Sequence, residues 1–181
     1  TYGDDYFDHL NIKNEGLSFI WEKELSNKLH HSLKSYYTNF ELDYLGDYKY
    51  IYTNNRVTDQ LTKTNSIDEF GFLYLLNYQT NRRTNFLFGY NFISNDTKYN
   101  INYRRENNDV KQIENIQKDD GTNNTHSLFS EYIYNNDQWK INTGIRLNYF
   151  SRIDKAVIEP RVYIEKKIGA GLSFKTSLEQ K

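Results

Sequence analysis

The chain has 181 residues, a formal net charge of -1 and no cysteine. These values exclude a global basic field for nucleic acid, a disulfide framework and a thiolate metal site. Aromatic residues make up 17% of the chain, 17 Tyr and 11 Phe among them, yet mean hydropathy is -0.89, whereas a water-soluble core is built mainly from Leu, Ile, Val and Ala.

Along the chain, alternation with period two recurs eight times, and successive side chains of a strand take opposite faces. Residues 16–24 place Leu17, Phe19 and Trp21 on one face, and residues 28–40 place Tyr36, Thr38 and Phe40 together. Residues 67–79 set Phe70, Phe72, Tyr74, Leu76 and Tyr78 against Glu69, Gly71 and Asn77. Residues 84–94 set Phe86, Phe88, Tyr90 and Phe92 against Asn85, Gly89 and Asn91. Residues 125–134 alternate less cleanly. The stretch "WKINTGIRLNYF", 139–150, alternates strictly: Trp139, Ile141, Thr143, Ile145, Leu147 and Tyr149 oppose Lys140, Asn142, Gly144, Arg146 and Asn148. Residues 156–166 and 170–180 complete the series.

The connections alternate too. "LSN", "TNRR", "NNDQ" and "KKIGA" are short and rich in turn residues, whereas 41–66 and 95–123 read as long polar loops. Unequal loops at the two ends of an up-and-down sheet are the signature of an outer-membrane barrel. The expected fold is therefore all-β, an antiparallel up-and-down transmembrane barrel. Its lipid belt would hold Phe70, Phe72, Phe86 and Phe88, with Trp21 and Trp139 in the girdle beside the short turns. A strand crossing the bilayer needs about 9–11 tilted residues, which accounts for the length of 139–150. The polar face carries Arg146, Glu159, Arg161, Lys175 and Glu179 towards the lumen, with opposite signs expected to neutralise one another across strands. Pro160 lacks a ladder donor, so a local bulge or an irregular hydrogen bond is expected there. A soluble antiparallel sheet with one buried face gives the same alternation, but has no need of such long strands.

The second half carries a family resemblance. Ser127 to Tyr132 ("SLFSEY") leads through a tight turn into Trp139 to Arg146 ("WKINTGIR"), followed by Glu159-Pro160-Arg161 and Leu172 to Lys175 ("LSFK"). This series, within about residues 124–181, resembles the barrel of TonB-dependent outer-membrane receptors. The heavy use of Asn, Lys and Tyr is similar to receptors of Bacteroidetes-type bacteria. The resemblance implies a barrel of about 22 strands closed by a plug, and with it localisation in a bacterial outer membrane. The implied partners are membrane lipid and lipopolysaccharide, TonB acting through a plug domain, a small nutrient ligand and, in some receptors, a surface lipoprotein. With room for about eight strands of such a barrel, residues 1–181 read as an interior stretch of its wall, without plug or C-terminal strand. The alternatives are a structural or adhesive barrel subunit of an envelope complex, an independent eight-stranded barrel, and a soluble β-sheet binding module.

Little in the chain points to chemistry. His30 and His31 are strand neighbours facing apart, as are His126 and Ser127, and His9 has no fixed partner, so neither a metal site nor a nucleophile–base pair is expected. No enzyme activity and no cofactor is expected. Asp119 and Asp120 in "QKDDGTNN" lack the spacing of a calcium loop. Ligand contact is expected instead from Tyr44, Tyr48 and Tyr50 in the tyrosine-rich stretch "ELDYLGDYKYIYTNN", which also contains Tyr52, because Tyr offers flat area and a hydroxyl at small entropy cost. Arg104 and Arg105 are the candidates for an anionic group.

Overall fold

A computed structural model describes residues 5–52, 55–107, 110–169 and 171–179, with the side chains of Tyr52, Asn55, Asn115, Ile116 and Gln117 outside the description. Eight antiparallel strands follow one another in a single sheet in chain order. They are β1 (Asp5–Ser26), β2 (Leu29–Tyr52), β3 (Asn55–Asn81), β4 (Thr84–Asn107), β5 (Val110–Asn135), β6 (Trp139–Phe150), β7 (Lys155–Gly169) and β8 (Leu172–Glu179). This is the all-β, up-and-down fold that the alternation predicts. Among the described residues β1 pairs only with β2, and β8 only with β7.

The expected long loops are the main correction. Residues 41–52 continue β2, 55–66 belong to β3, and 95–107 and 110–123 belong to β4 and β5. These strands run to 24–27 residues, more than twice what a bilayer requires. The ladder continues there because backbone pairing does not need apolar side chains. What stops near residues 40, 67, 94 and 125 is only the hydrophobic alternation.

Short turns close the other ends through their own polar side chains. The Asn136 carboxamide oxygen accepts from the Gln138 and Trp139 N–H groups at 2.9 and 2.6 Å, and Asn81 does the same for Arg83 N–H at 2.8 Å. Between β6 and β7 a single 3-10 turn (Ser151–Ile153) ends on Asp154 at φ 48, a left-handed position that Asp tolerates. Ser151 Oγ accepts from Asn124 N–H at 2.8 Å, and Tyr149 donates to Asp154 at 3.0 Å.

Pro160 lies opposite Ile145 in a β6–β7 register that runs from Trp139↔Lys166 to Phe150↔Lys155 without a shift, so the expected bulge is not in this pairing. Lys167 N–H donates to the Gln138 carbonyl, so odd residues of β7 direct their N–H groups towards β6. Pro160 is even. Its missing donor therefore faces the β8 side, where pairing is described from Arg161↔Glu179 onward. The register shift of β7 lies at Lys167/Gly169 instead.

The chain divides into two compact units. The first comprises Thr1–Leu17, Tyr37–Glu69 and Asn95–Thr122; the second comprises Ser18–Tyr36, Phe70–Ser94 and Asn123–Lys181. Packing in the second unit is inverted relative to a soluble sheet. Neighbouring residues tell it plainly: Ser127 is 4% exposed beside Leu128 at 60%, and Asn148 is 7% exposed beside Leu147 at 43%. Phe88 and Ile145 are exposed as well, while Phe72 is half-buried with its ring 6.3 Å from Tyr90. Leu128, Leu147 and Ile158 form one cross-strand row of the accessible face; Phe129, Arg146 and Glu159 form the next row on the covered face.

Candidate functional site

In the second unit the polar face of β6 to β8 holds a ladder of opposed charges, half-buried on β6 and β7 and exposed on β8. Arg146 stands opposite Glu159, Arg161 opposite Glu179, and Lys175 opposite Glu165. Glu159 accepts from Asn148 Nδ2 at 2.8 Å and from Arg161 at 3.3 Å, while Arg161 also reaches Glu179 at 3.1 Å and Lys175 reaches Glu165 at 3.7 Å. Arg146, Glu159, Arg161 and Lys175 thus share one face, with ion pairs joining Arg161 to Glu159 and Glu179 and Lys175 to Glu165, while Arg146 is opposed to Glu159 by register alone. A side chain that alternation alone misses completes the row: Phe129 lies on this polar face, over Gly89 on β4 and under the Arg146 guanidinium at 4.8 Å. A Cβ at Gly89 would fall within the Phe129 ring, and one at Gly71 within the Tyr36 ring. Glycine is needed at both positions so that an aromatic ring from the neighbouring strand can lie flat over the backbone. Tyr36 is therefore on the polar side, with Gly71, and not on the side of Phe70 and Phe72.

The accessible face carries the rings. Phe70 and Phe92 are 6.3 Å apart, Phe86 and Tyr132 5.3 Å, and Trp21 meets His31 at 4.7 Å edge-to-face. Lys166 holds its ammonium 4.8 Å from the Trp139 ring centre, a cation–π contact beside the short turn. His126 is enclosed by Phe92 at 4.9 Å, Tyr149 at 6.2 Å and Tyr90, whose hydroxyl lies 2.9 Å from Nδ1. His31 and His126 are thus packed among rings.

In the first unit the tyrosine candidates come together on one side of the strands. Tyr6 meets Tyr48 edge-to-face at 6.2 Å, and Tyr48 meets Tyr50 at 5.3 Å. Tyr44 donates to Asp8 at 2.6 Å, lies over Gly46, and receives the Lys63 ammonium at 5.5 Å from its ring centre. Asp59 is the hub. It accepts a bidentate pair from Arg105 at 2.7 and 2.9 Å, the Tyr103 hydroxyl at 2.7 Å and the Tyr50 hydroxyl at 3.3 Å. Tyr44, Tyr48, Tyr50 and Arg105 therefore stand close together, with Tyr6, Asp8, Asp59 and Tyr103, which the sequence reading does not single out, between them. Arg104 is not among them. It points to the other side, pairs with Glu106 at 3.1 Å, and lines a hollow of about 160 Å³ with Asp47, Thr58 and Gln60. The side chain of Tyr52 lies outside the described residues.

The electrostatics follow from this geometry. Hydrogen bonding from Arg105, reinforced by the Tyr103 hydroxyl, holds the Asp59 carboxyl below its ordinary 3.8, against the opposing effect of partial burial. Burial and the Asp59 charge push the Tyr103 hydroxyl up. A carboxyl depressed in the folded state contributes stability above its unfolded value and loses it as pH falls through the folded value. We expect amide-exchange protection of β3 and β4 around Asp59 to weaken below about pH 4 in the wild type. In Asp59→Asn it is expected to be weaker at neutral pH and to change little on acidification. A wild-type pH profile in that variant would remove Asp59 as the hub.

No protein-family model matches the chain, and no curated protein does. Among solved structures, the chain is similar to the siderophore receptor PirA from Pseudomonas aeruginosa, with a TM-score of 0.33, 11% identity, and coverage of 92% of this chain and 39% of that one. The chain therefore spans well under half the length of that receptor, and a likeness this distant assigns neither family nor function.

Proposed function

We propose that the chain is part of the wall of an outer-membrane β-barrel receptor that imports a small nutrient, in the manner of TonB-dependent receptors. One observation carries this reading: from β3 to β7 in the second unit the apolar, aromatic face is the more open and the polar face the more covered, the reverse of a water-soluble sheet. Supporting it, the ring-bearing stretches of β4 and β6 have the length of a bilayer crossing, and Trp21 and Trp139 lie near short turns as interfacial anchors do. Every residue of β1 is exposed, and so is every described residue of β8. An open strand edge is untenable in hydrocarbon, so this reading requires further strands beside both, from the same polypeptide or from another copy.

On this reading the strands perform no reaction and hold no cofactor. The second unit seals the membrane, with Arg146, Glu159, Arg161 and Lys175 facing a wet or plugged lumen. The tyrosine side of the first unit supplies ligand contacts through Tyr44, Tyr48 and Tyr50. Energy would reach the barrel through a plug and TonB. The strand edges favour this over an independent eight-stranded barrel; an adhesive or structural barrel subunit shares the same lipid face and differs in lacking uptake.

Detergent partitioning tests the common part. The protein is expected in the detergent phase, with heat-modifiable migration on gels, and recovery as a water-soluble monomer would overturn every barrel reading. Deletion of the gene followed by growth on limiting nutrients separates receptor from adhesin.

A further inference from the structure

On the tyrosine side of the first unit, charge is satisfied from within. Asp59 Oδ1 accepts from the Tyr103 hydroxyl and from Arg105 Nε, both at 2.7 Å. Its Oδ2 accepts from Arg105 Nη2 at 2.9 Å and from the Tyr50 hydroxyl at 3.3 Å. Two donors on each oxygen fill the four lone-pair sites of a carboxylate, so Asp59 has none left for a cationic ligand. The same bidentate pairing cancels the Arg105 charge, and the guanidinium also lies 5.7 Å from the Tyr103 ring centre. Asp8 accepts the hydroxyls of Tyr6 and Tyr44, and the Lys63 ammonium stands 5.5 Å from the Tyr44 ring centre. Asp8 and Asp59 against Lys63 and Arg105 leave the cluster without excess of either sign. What it presents is ring surface. Tyr6 is 66% exposed and Tyr48 39%, edge-to-face at 6.2 Å, with Tyr50 5.3 Å beyond Tyr48. Side chains of a strand stand roughly perpendicular to the sheet, so a further strand beside β1 widens this surface and does not cap it.

Resting on the reading that these tyrosines contact the ligand, we propose that the ligand is an uncharged saccharide, and that Arg105 is a strut for Asp59 and not a contact for an anionic group. A pyranose ring lays a flat C–H face on Tyr48 and Tyr6 and carries hydroxyls at its rim. These donate to Asp8, whose two tyrosine bonds leave lone-pair sites over, and accept from Lys63. The hydroxyls of Tyr6, Tyr44, Tyr50 and Tyr103 are spent on the two carboxylates, which holds the rings in place before the ligand arrives. Rigid tyrosine area of this kind binds at small entropy cost.

Titration calorimetry of the purified protein in a sugar-free detergent tests it. The probes are neutral oligosaccharides of glucose, mannose and galactose, each beside the oligouronate of the same sugar, linkage and length. At least one neutral oligomer is expected to bind, about tenfold tighter or more than its uronate. Tyr48→Ala should lower that affinity about tenfold, whereas Tyr48→Phe should hold it within about twofold, because the ring and not the hydroxyl makes the contact. Failure of every neutral oligomer to bind, or unchanged affinity in Tyr48→Ala, would overturn the proposal. So would a uronate that binds as tightly as its neutral counterpart and is lost in Arg105→Gln, which would return Arg105 to the role of anion contact. If the protein still partitions into detergent and migrates heat-modifiably, such a failure strikes the ligand class and leaves the receptor reading standing.

Discussion

Ile145→Arg is expected to destabilise the folded protein in lipid vesicles by about 2–4 kcal/mol, the cost of a cation near the midplane on the lipid side of a barrel. Ile145 sits mid-strand in β6, paired with Ser130 and Pro160, and is 53% exposed in the chain taken by itself. In a water-soluble protein a residue so exposed accepts arginine within about 0.5 kcal/mol. The same sequence change therefore has different consequences under the two readings. Asn142→Arg, nearby on the polar face of the same strand, is the internal control and is expected to cost much less. Urea unfolding in vesicles, read by tryptophan fluorescence, measures both. Equal stability of the Ile145→Arg variant and the wild type would mean that Ile145 does not touch acyl chains.

The second large effect is steric. Gly89→Val places a branched side chain where the Phe129 ring now lies, and Phe129 is in turn capped by Arg146 at 4.8 Å. Overpacking of this kind costs about 1–3 kcal/mol. Displacing the ring also strips the Arg146 guanidinium of its contact, and Arg146 Nε is already buried without a hydrogen-bond partner. Phe129→Ala alone should cost about 3 kcal/mol, the lower end for a buried phenylalanine. The double variant Gly89→Val/Phe129→Ala should lie well short of the sum, because the valine fills space the ring has left. A coupling of about 0.5–3 kcal/mol is expected from residues in such contact. Strict additivity would show that the ring does not occupy the glycine notch.

These two positions also show how far the sequence is legible. Ile145 belongs to a run whose alternation is strict for 12 residues, and its face is assigned by counting. Phe129 cannot be placed in that way. Ser127 and Glu131 share its phase, and apolar-against-polar counting has no rule for a ring that belongs over a glycine on the next strand. The signal is Gly89 itself, a residue without side chain in the middle of a strand; Gly71 gives the same signal for Tyr36.

The extended ends of β2 to β5 escape the alternation for a related reason. Between residues 41 and 66 the contrast between faces is broken: Leu42 stands between Glu41 and Asp43, but Thr62, Lys63, Thr64 and Asn65 show no contrast at all. Hydrophobic alternation reports the solvent of a strand, not its existence. Where neither face is predominantly apolar, the period-two signal vanishes although the backbone ladder goes on. The Tyr candidates are found all the same because they are spaced by even numbers, Tyr44, Tyr48 and Tyr50, and any strand through them brings them to one side. Adjacent Arg104 and Arg105 are separated by the same parity.

Continuation of the ladder through residues 41–52 has an immunological corollary. Antibodies raised against a linear peptide from this stretch would see Tyr48 and Lys49 together, whereas the folded ribbon shows them on opposite sides. Sera raised against the folded protein should therefore react with discontinuous epitopes assembled from several ribbons, and peptide-derived sera should bind it poorly.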